Sequence, residues 1–145
     1  MRIRSSSDGD TQRIGFKLGK LLTPGDTVFL TGELGCGKTT LVKGIAEAFG
    51  ISARDITSAS FTIIAEHEGT VPLYHIDLYR LECLSAIDDI GLYEYIGGDG
   101  VAVIEWAERL QGTETATVTI DIKYVSENER EITIEGLDDD SWNNL

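Results

Sequence analysis

The sequence predicts an α/β fold: a mixed, largely parallel sheet flanked by helices, closing on a C-terminal antiparallel strand pair. Three observations carry this. The run "TVFL", Thr27 to Leu30, is followed by a Gly-rich loop and then by apolar residues at helical spacing. "VAVIEW", Val101 to Trp106, is a near-continuous apolar run that suits an interior parallel strand covered on both faces. "ATVTIDIKYV" and "EREITIEG" alternate polar and apolar, the pattern of an antiparallel pair with one covered face.

The elements follow in order. "MRIR" is a short edge strand. Ser7 and Asp10 have capping-box spacing, and Ile14, Leu18, Leu21 and Leu22 recur at helical period, so a helix is expected over Gly9 to Leu22. Pro24-Gly25-Asp26 is a turn. A second helix runs from about Lys38 to Phe49 with Leu41, Val42, Ile45, Ala46 and Phe49 as its apolar stripe, and Gly50 stands where a helix-ending glycine belongs. "SASFTIIAEHE" and "VPLYHIDLYRL" read as a hairpin turning near Gly69-Thr70. Ser85 with Asp88 caps a helix expected over Ala86 to Ile96, and "GGDG" is a loop. One domain is expected over residues 1–137, with an acidic, solvated tail over 138–145.

Composition narrows the function. The 145 residues are 41% hydrophobic, and 12 basic against 25 acidic residues give a formal charge of −13. Such a chain repels nucleic-acid phosphates beyond its immediate contacts, so DNA is not expected as a partner and a protein is. The N-terminus has no apolar signal core, and no apolar run is long enough to span a membrane. Cys36 and Cys83 lack metal-site spacing and cannot form a disulfide framework, which points to a reducing, cytoplasmic setting.

The chemistry starts at "TGELGCGKTT". Gly32 to Thr39 matches the Walker A pattern G-x-x-x-x-G-K-[ST] at every fixed position, between a strand and a helix. Its glycines let backbone amides converge on phosphate oxygens, and the helix aims its leading amides at the same anion. Lys38 is expected on the β- and γ-phosphates, and the Thr39 hydroxyl on Mg²⁺. This is the signature of a P-loop NTPase fold. Cys36 inside the loop is read as incidental rather than redox-active.

A P-loop enzyme also needs carboxylates at neighbouring strand tips. Glu105 ends "VAVIE" and Asp77 ends "LYHID", so one can hold metal and the other orient water. "TSASFT", Thr57 to Thr62, supplies hydroxyls where switch loops of such proteins sit. His75 alternates with Asp77 and shares its face; a lone strand histidine is more often structural. No N-K-x-D guanine-reading motif occurs, which favours ATP over GTP.

"GELGCGKTT", "SASFT", "YHIDLYRL" and "VIEWAERL", in this order, resemble the bacterial TsaE family, also called YjeE, over about Asp10 to Arg130. The resemblance implies an ATPase that works with a protein pair, TsaD and TsaB. That assembly places a threonylcarbamoyl group on the adenosine beside the anticodon of tRNAs reading codons that start with A. This subunit would hydrolyse ATP to ADP with Mg²⁺ to reset the assembly, without transferring the group and touching tRNA only through its partners.

Position by position, the resemblance places Leu34, Gly35, Cys36, Gly37, Lys38, Thr39 and Thr40 around the phosphates. Glu105 matches the metal-site Glu, Asp77 the Asp needed for hydrolysis, and Trp106 the Trp beside the metal site. Ser58, Ser60 and Thr62 match the switch loop. Thr11 matches a Thr near the nucleotide base, and Arg130 a late Arg near the nucleotide. The family usually carries Ala at Cys36 and Pro at Ala59; losing that Pro removes a φ restraint from the loop.

Two other classes remain on the residues alone. A small-molecule P-loop kinase would add an Arg-rich lid, but only Arg54, Arg80, Arg109 and Arg130 follow the motif, scattered. A nucleotide-gated binding module would need neither Asp77 nor Glu105.

Overall fold

The computed structural model describes residues 1–33, 35–57, 64–79, 91–110 and 116–144, with Arg109 described by its backbone alone. The strands are β1 (Arg2–Ser5), β2 (Thr27–Gly32), β3 (Ile64–His67), β4 (Leu73–Asp77), β5 (Val101–Glu105), β6 (Val118–Tyr124) and β7 (Arg130–Glu135). They form one seven-stranded sheet in the order β1-β7-β6-β2-β5-β4-β3. The centre, β6-β2-β5-β4, is parallel, and both margins are antiparallel. The fold class is that of the sequence reading: a mixed α/β sheet with a parallel core and the β6–β7 pair near its C-terminal end.

β5 explains the parallel centre. All five of its residues are buried, because neighbouring elements cover both of its faces. Val101 and Val103 pack into a large cluster with Leu41, Val42 and Ile45, while Ala102 and Ile104 face a second cluster with Ile76, Leu78 and Leu110. Strand parity therefore puts Glu105 on the Val101–Val103 face, the side of the long helices.

Those helices are α1 (Asp8–Gly19) and α2 (Lys38–Ala48). Ser7 caps α1, its Oγ accepting from the Asp10 amide at 3.0 Å. Asp10 reaches back to the Ser6 amide at 3.0 Å, one residue before the cap. α1 ends earlier than its apolar spacing predicts. The Leu21 amide donates to Leu18 O at 2.9 Å and the Leu22 amide to Gly19 O, tightening the chain into a 3₁₀ turn that still buries Leu22. Gly50 takes φ +77° just after α2, as a helix-ending glycine does.

The two helices touch backbone to backbone. A Cβ on Gly15 would lie 2.2 Å from the Leu41 carbonyl, and one on Gly44 would lie 1.9 Å from the Gln12 carbonyl. Glycine at both crossings draws the N-terminus of α1 close to the loop that precedes α2.

Two expectations differ from the structure. Of the helix expected over Ala86 to Ile96, the described part, Leu92–Glu94, is a 3₁₀ turn entered through Gly91 at φ +73°; residues 86–90 lie outside the described residues. In the tail expected to be solvated, Asp139–Asn143 forms a short helix, α3, capped by Asp138. Trp142 buries against the main core and the Lys17 ammonium lies 4.5 Å from its ring centroid, so burial of one large aromatic outweighs the acidic composition around it.

The glycine contact is open to test. Gly44→Ala drives a Cβ into backbone and is expected to cost about 1–3 kcal/mol or more, lowering the melting temperature by at least several degrees. Gly97→Ala has positive φ but open space around it, and is expected to cost only about 1 kcal/mol of backbone strain. Equal melting temperatures for the two variants would contradict the close-packing account.

Candidate nucleotide site

α2 begins in an unusual way. Its N-cap is Gly37, in the left-handed region at φ +105°, and among the described residues no side chain caps the helix. No acidic residue lies in its first turn. The leading amides are therefore left for an outside anion, and the helix dipole favours one. Gly35, at φ +77°, has nothing among the described residues within 4 Å of where a Cβ would stand. Both glycines face a cavity of about 480 Å³, within the range of small-molecule sites. Lys38, Thr39 and Thr40 line one side of it, and Asp77, Glu105 and Trp106 another. Arg130 and Asp8 complete the wall. These features fit a polyphosphate.

Register explains why the carboxylates meet. β4 and β5 run parallel with Asp77 opposite Glu105 and His75 opposite Val103. His75, Asp77 and Glu105 thus project on the same face, beside the loop. Glu105 is 4% exposed, and its Oε2 accepts from the Nε2 of buried His75. Asp77 Oδ1 accepts from the Tyr79 amide at 2.9 Å. Burial pushes the Asp77 carboxyl above the usual carboxylate range and the neighbouring Glu105 charge pushes it further; the Tyr79 amide, His75 and the Lys38 charge pull the other way.

Lys38 is 6% exposed and folded into the site. Its Nζ donates to Gly32 O at 2.7 Å and lies 4.1 Å from the Trp106 ring centroid. Tyr79 flanks the same indole, with ring centroids 4.9 Å apart. Trp106 has φ +60°, the one non-glycine residue in the left-handed region among the described residues. Strain of this kind persists where surroundings over-determine it, which is common at functional sites.

The remaining sequence-expected residues separate. Arg130 reaches the loop: Nε donates to the Cys36 carbonyl at 2.9 Å, and Nη1 holds Ser126 O at 2.7 Å. Cys36 itself turns inward, is 1% exposed, and burial pushes its thiol pKa up, the opposite of a reactive thiolate. Thr11 is buried with its hydroxyl 2.6 Å from Ser5 Oγ, and its Cγ2 lies 4.0 Å from where a Cβ on Gly37 would stand, so it packs beside the loop. Leu34, Ser58, Ser60 and Thr62 lie outside the described residues. Asp8 is a wall residue that the sequence reading missed. Its only sequence signal is a place in the first turn of α1, which says nothing about the cavity until α1 is packed on α2.

Among the described residues, no group of three or more His, Cys, Asp or Glu is disposed to hold a metal ion. That is compatible with Mg²⁺, which is usually held by one or two carboxylates together with substrate phosphates. Among the described residues, no helix is long and apolar enough to cross a membrane.

The family model described as threonylcarbamoyl adenosine biosynthesis protein TsaE matches residues 5–132. The chain belongs to the TsaE family. The TsaE protein of Treponema pallidum is 45% identical over 135 residues, covering 92% of this chain and 99% of the relative. That of Bacillus subtilis is 42% identical, covering 92% and 84%. The crystal structure of Bacillus subtilis YdiB superposes with a TM-score of 0.74 at 39% identity, covering 92% of this chain and 83% of that one. The matched residues 5–132 include both long helices and the described cavity-wall residues from Asp8 to Arg130, so the likeness extends well beyond the glycine-rich loop.

The Asp77 environment has a consequence for stability. An acid whose pKa rises on folding holds its proton more tightly folded than unfolded. Its penalty is absent below the unfolded value near 3.8, grows as pH climbs through the raised value, and is full above it. Asp77→Asn keeps an oxygen for the Tyr79 amide and loses the charge. Its melting temperature is expected to exceed that of the unsubstituted chain at pH 7, with the gap narrowing towards pH 4. A gap that widens on acidification would contradict this.

Proposed function

We propose that this chain is an ATP-binding and ATP-hydrolysing subunit required for threonylcarbamoyladenosine modification of tRNAs that read codons starting with A, acting with the TsaD–TsaB pair in the cytoplasm. Membership of the TsaE family supports the pathway. One observation supports the chemistry: the uncapped α2 amides face a cavity that also holds Lys38 and two buried carboxylates.

The α2 amides, the loop glycines and Lys38 bind the polyphosphate. Lys38 must leave the Gly32 carbonyl to do so, which is consistent with a low rate for the chain alone. Thr39 and Glu105 hold Mg²⁺, directly or through water, and the ion when bound draws charge off the β–γ bridge. Asp77 orients a water and takes its proton as the water oxygen bonds to the γ-phosphorus and the β–γ bridging bond breaks, leaving ADP and phosphate. Its raised pKa brings it nearer the range in which a carboxylate is an efficient base at neutral pH. Arg130 holds the loop carbonyl from the opposite side. The charge of −13 fits docking on a protein and contact with tRNA through partners only.

Phosphate release from ATP by the purified chain, with and without TsaD–TsaB and tRNA, tests this. Slow turnover alone and clear stimulation by the pair are expected. Asp77→Asn is expected to lower stimulated turnover by about 10²–10⁴-fold while ATP still binds. Unchanged turnover in Asp77→Asn would remove Asp77 from the mechanism.

A further inference from the structure

His75 has no part in the chemistry above, and its surroundings single it out. The ring is fully buried on the face shared by Asp77 and Glu105. Nε2 donates to Glu105 Oε2, and Nδ1 has no hydrogen-bond partner among the described residues. Leaving a buried polar atom unsatisfied costs about 1–3 kcal/mol, whereas an apolar side chain of similar size would fill the same space without that cost. The cost is incurred for one bond, and that bond goes to Glu105. Glu105 is 4% exposed and directly opposite Asp77, and among the described residues the bond from His75 is the one hydrogen bond its carboxylate accepts.

We propose that His75 is a positioning residue: its Nε2–H fixes Glu105 so that the carboxylate faces the divalent cation accompanying bound polyphosphate. This rests on the nucleotide·Mg²⁺ reading above. It assigns His75 no contact with nucleotide or metal. Hydrogen-bonded partners behind a metal-holding residue commonly set its orientation, and their loss typically weakens metal binding by about 10–100-fold.

The test is calorimetric titration of the full chain with AMP-PNP, a non-hydrolysable ATP analogue, in EDTA and at graded Mg²⁺. If the unsubstituted chain binds AMP-PNP equally with and without Mg²⁺, the nucleotide·Mg²⁺ reading fails, whatever His75 does. If Mg²⁺ tightens binding, three variants address His75. His75→Leu fills the space without a donor. His75→Gln places an amide N–H near the position of Nε2, and His75→Asn near that of Nδ1. Leu and Asn are expected to raise the Mg²⁺ concentration for half-tightening by about 10–100-fold, leaving the affinity in EDTA unchanged. Gln is expected to restore most of the Mg²⁺ response. Unchanged Mg²⁺ dependence in Leu and Asn overturns the proposal, as does an EDTA affinity that falls in step with it. Should Leu fail to melt cooperatively, the Asn–Gln comparison decides, and equal Mg²⁺ dependence in those two overturns it.

Discussion

A helix whose N-terminus has no side-chain cap among the described residues sets the terms for the rest of this site. α2 starts at a left-handed glycine with no capping side chain and no acid in its first turn. Most helices satisfy that end themselves, with Ser, Thr, Asp or Asn at the cap; α1 does so with Ser7 and α3 with Asp138. In α2 the deficit is kept and aimed at a cavity. Lys38 adds positive charge at the same place, held meanwhile by the Gly32 carbonyl and the Trp106 ring.

The sheet answers that positive end with negative charge. Parallel pairing of β4 and β5 sets Asp77 against Glu105, two buried acids on neighbouring strands. In a protein selected for stability alone this would be a poor arrangement, because burial and the neighbouring Glu105 charge both disfavour ionisation of Asp77. One acid is hydrogen-bonded to His75, and the other is bonded at one oxygen by a backbone amide. The strained backbone of Trp106, directly after Glu105, belongs to the same compromise.

Distant parts of the chain complete the wall. Arg130 starts β7, far from the loop in sequence, yet its guanidinium reaches the Cys36 carbonyl and lies 4.6 Å from the Tyr124 ring centroid. α1 arrives through the glycine crossing with α2, which brings Asp8 to the rim and leaves Thr11 buried against Ser5. The loop thus lies between α1 and the β6–β7 hairpin.

Local pattern alone determined the order of most elements, the parallel centre and the glycine-rich turn between β2 and α2, because each rests on short-range rules: apolar period, turn residues and glycine spacing. It also named both strand-tip carboxylates, since a polar residue ending a buried apolar run has few places to go. Tertiary structure decided the rest. α1 stops before Leu21 because a 3₁₀ turn closes it. Trp142 converts an acidic tail into a packed helix. The Thr11 hydroxyl meets Ser5, Asp8 lines the cavity, and His75 meets Glu105 only through the β4–β5 register. None of these could be read from composition or spacing, since each depends on which backbone lies within a few ångströms across the fold.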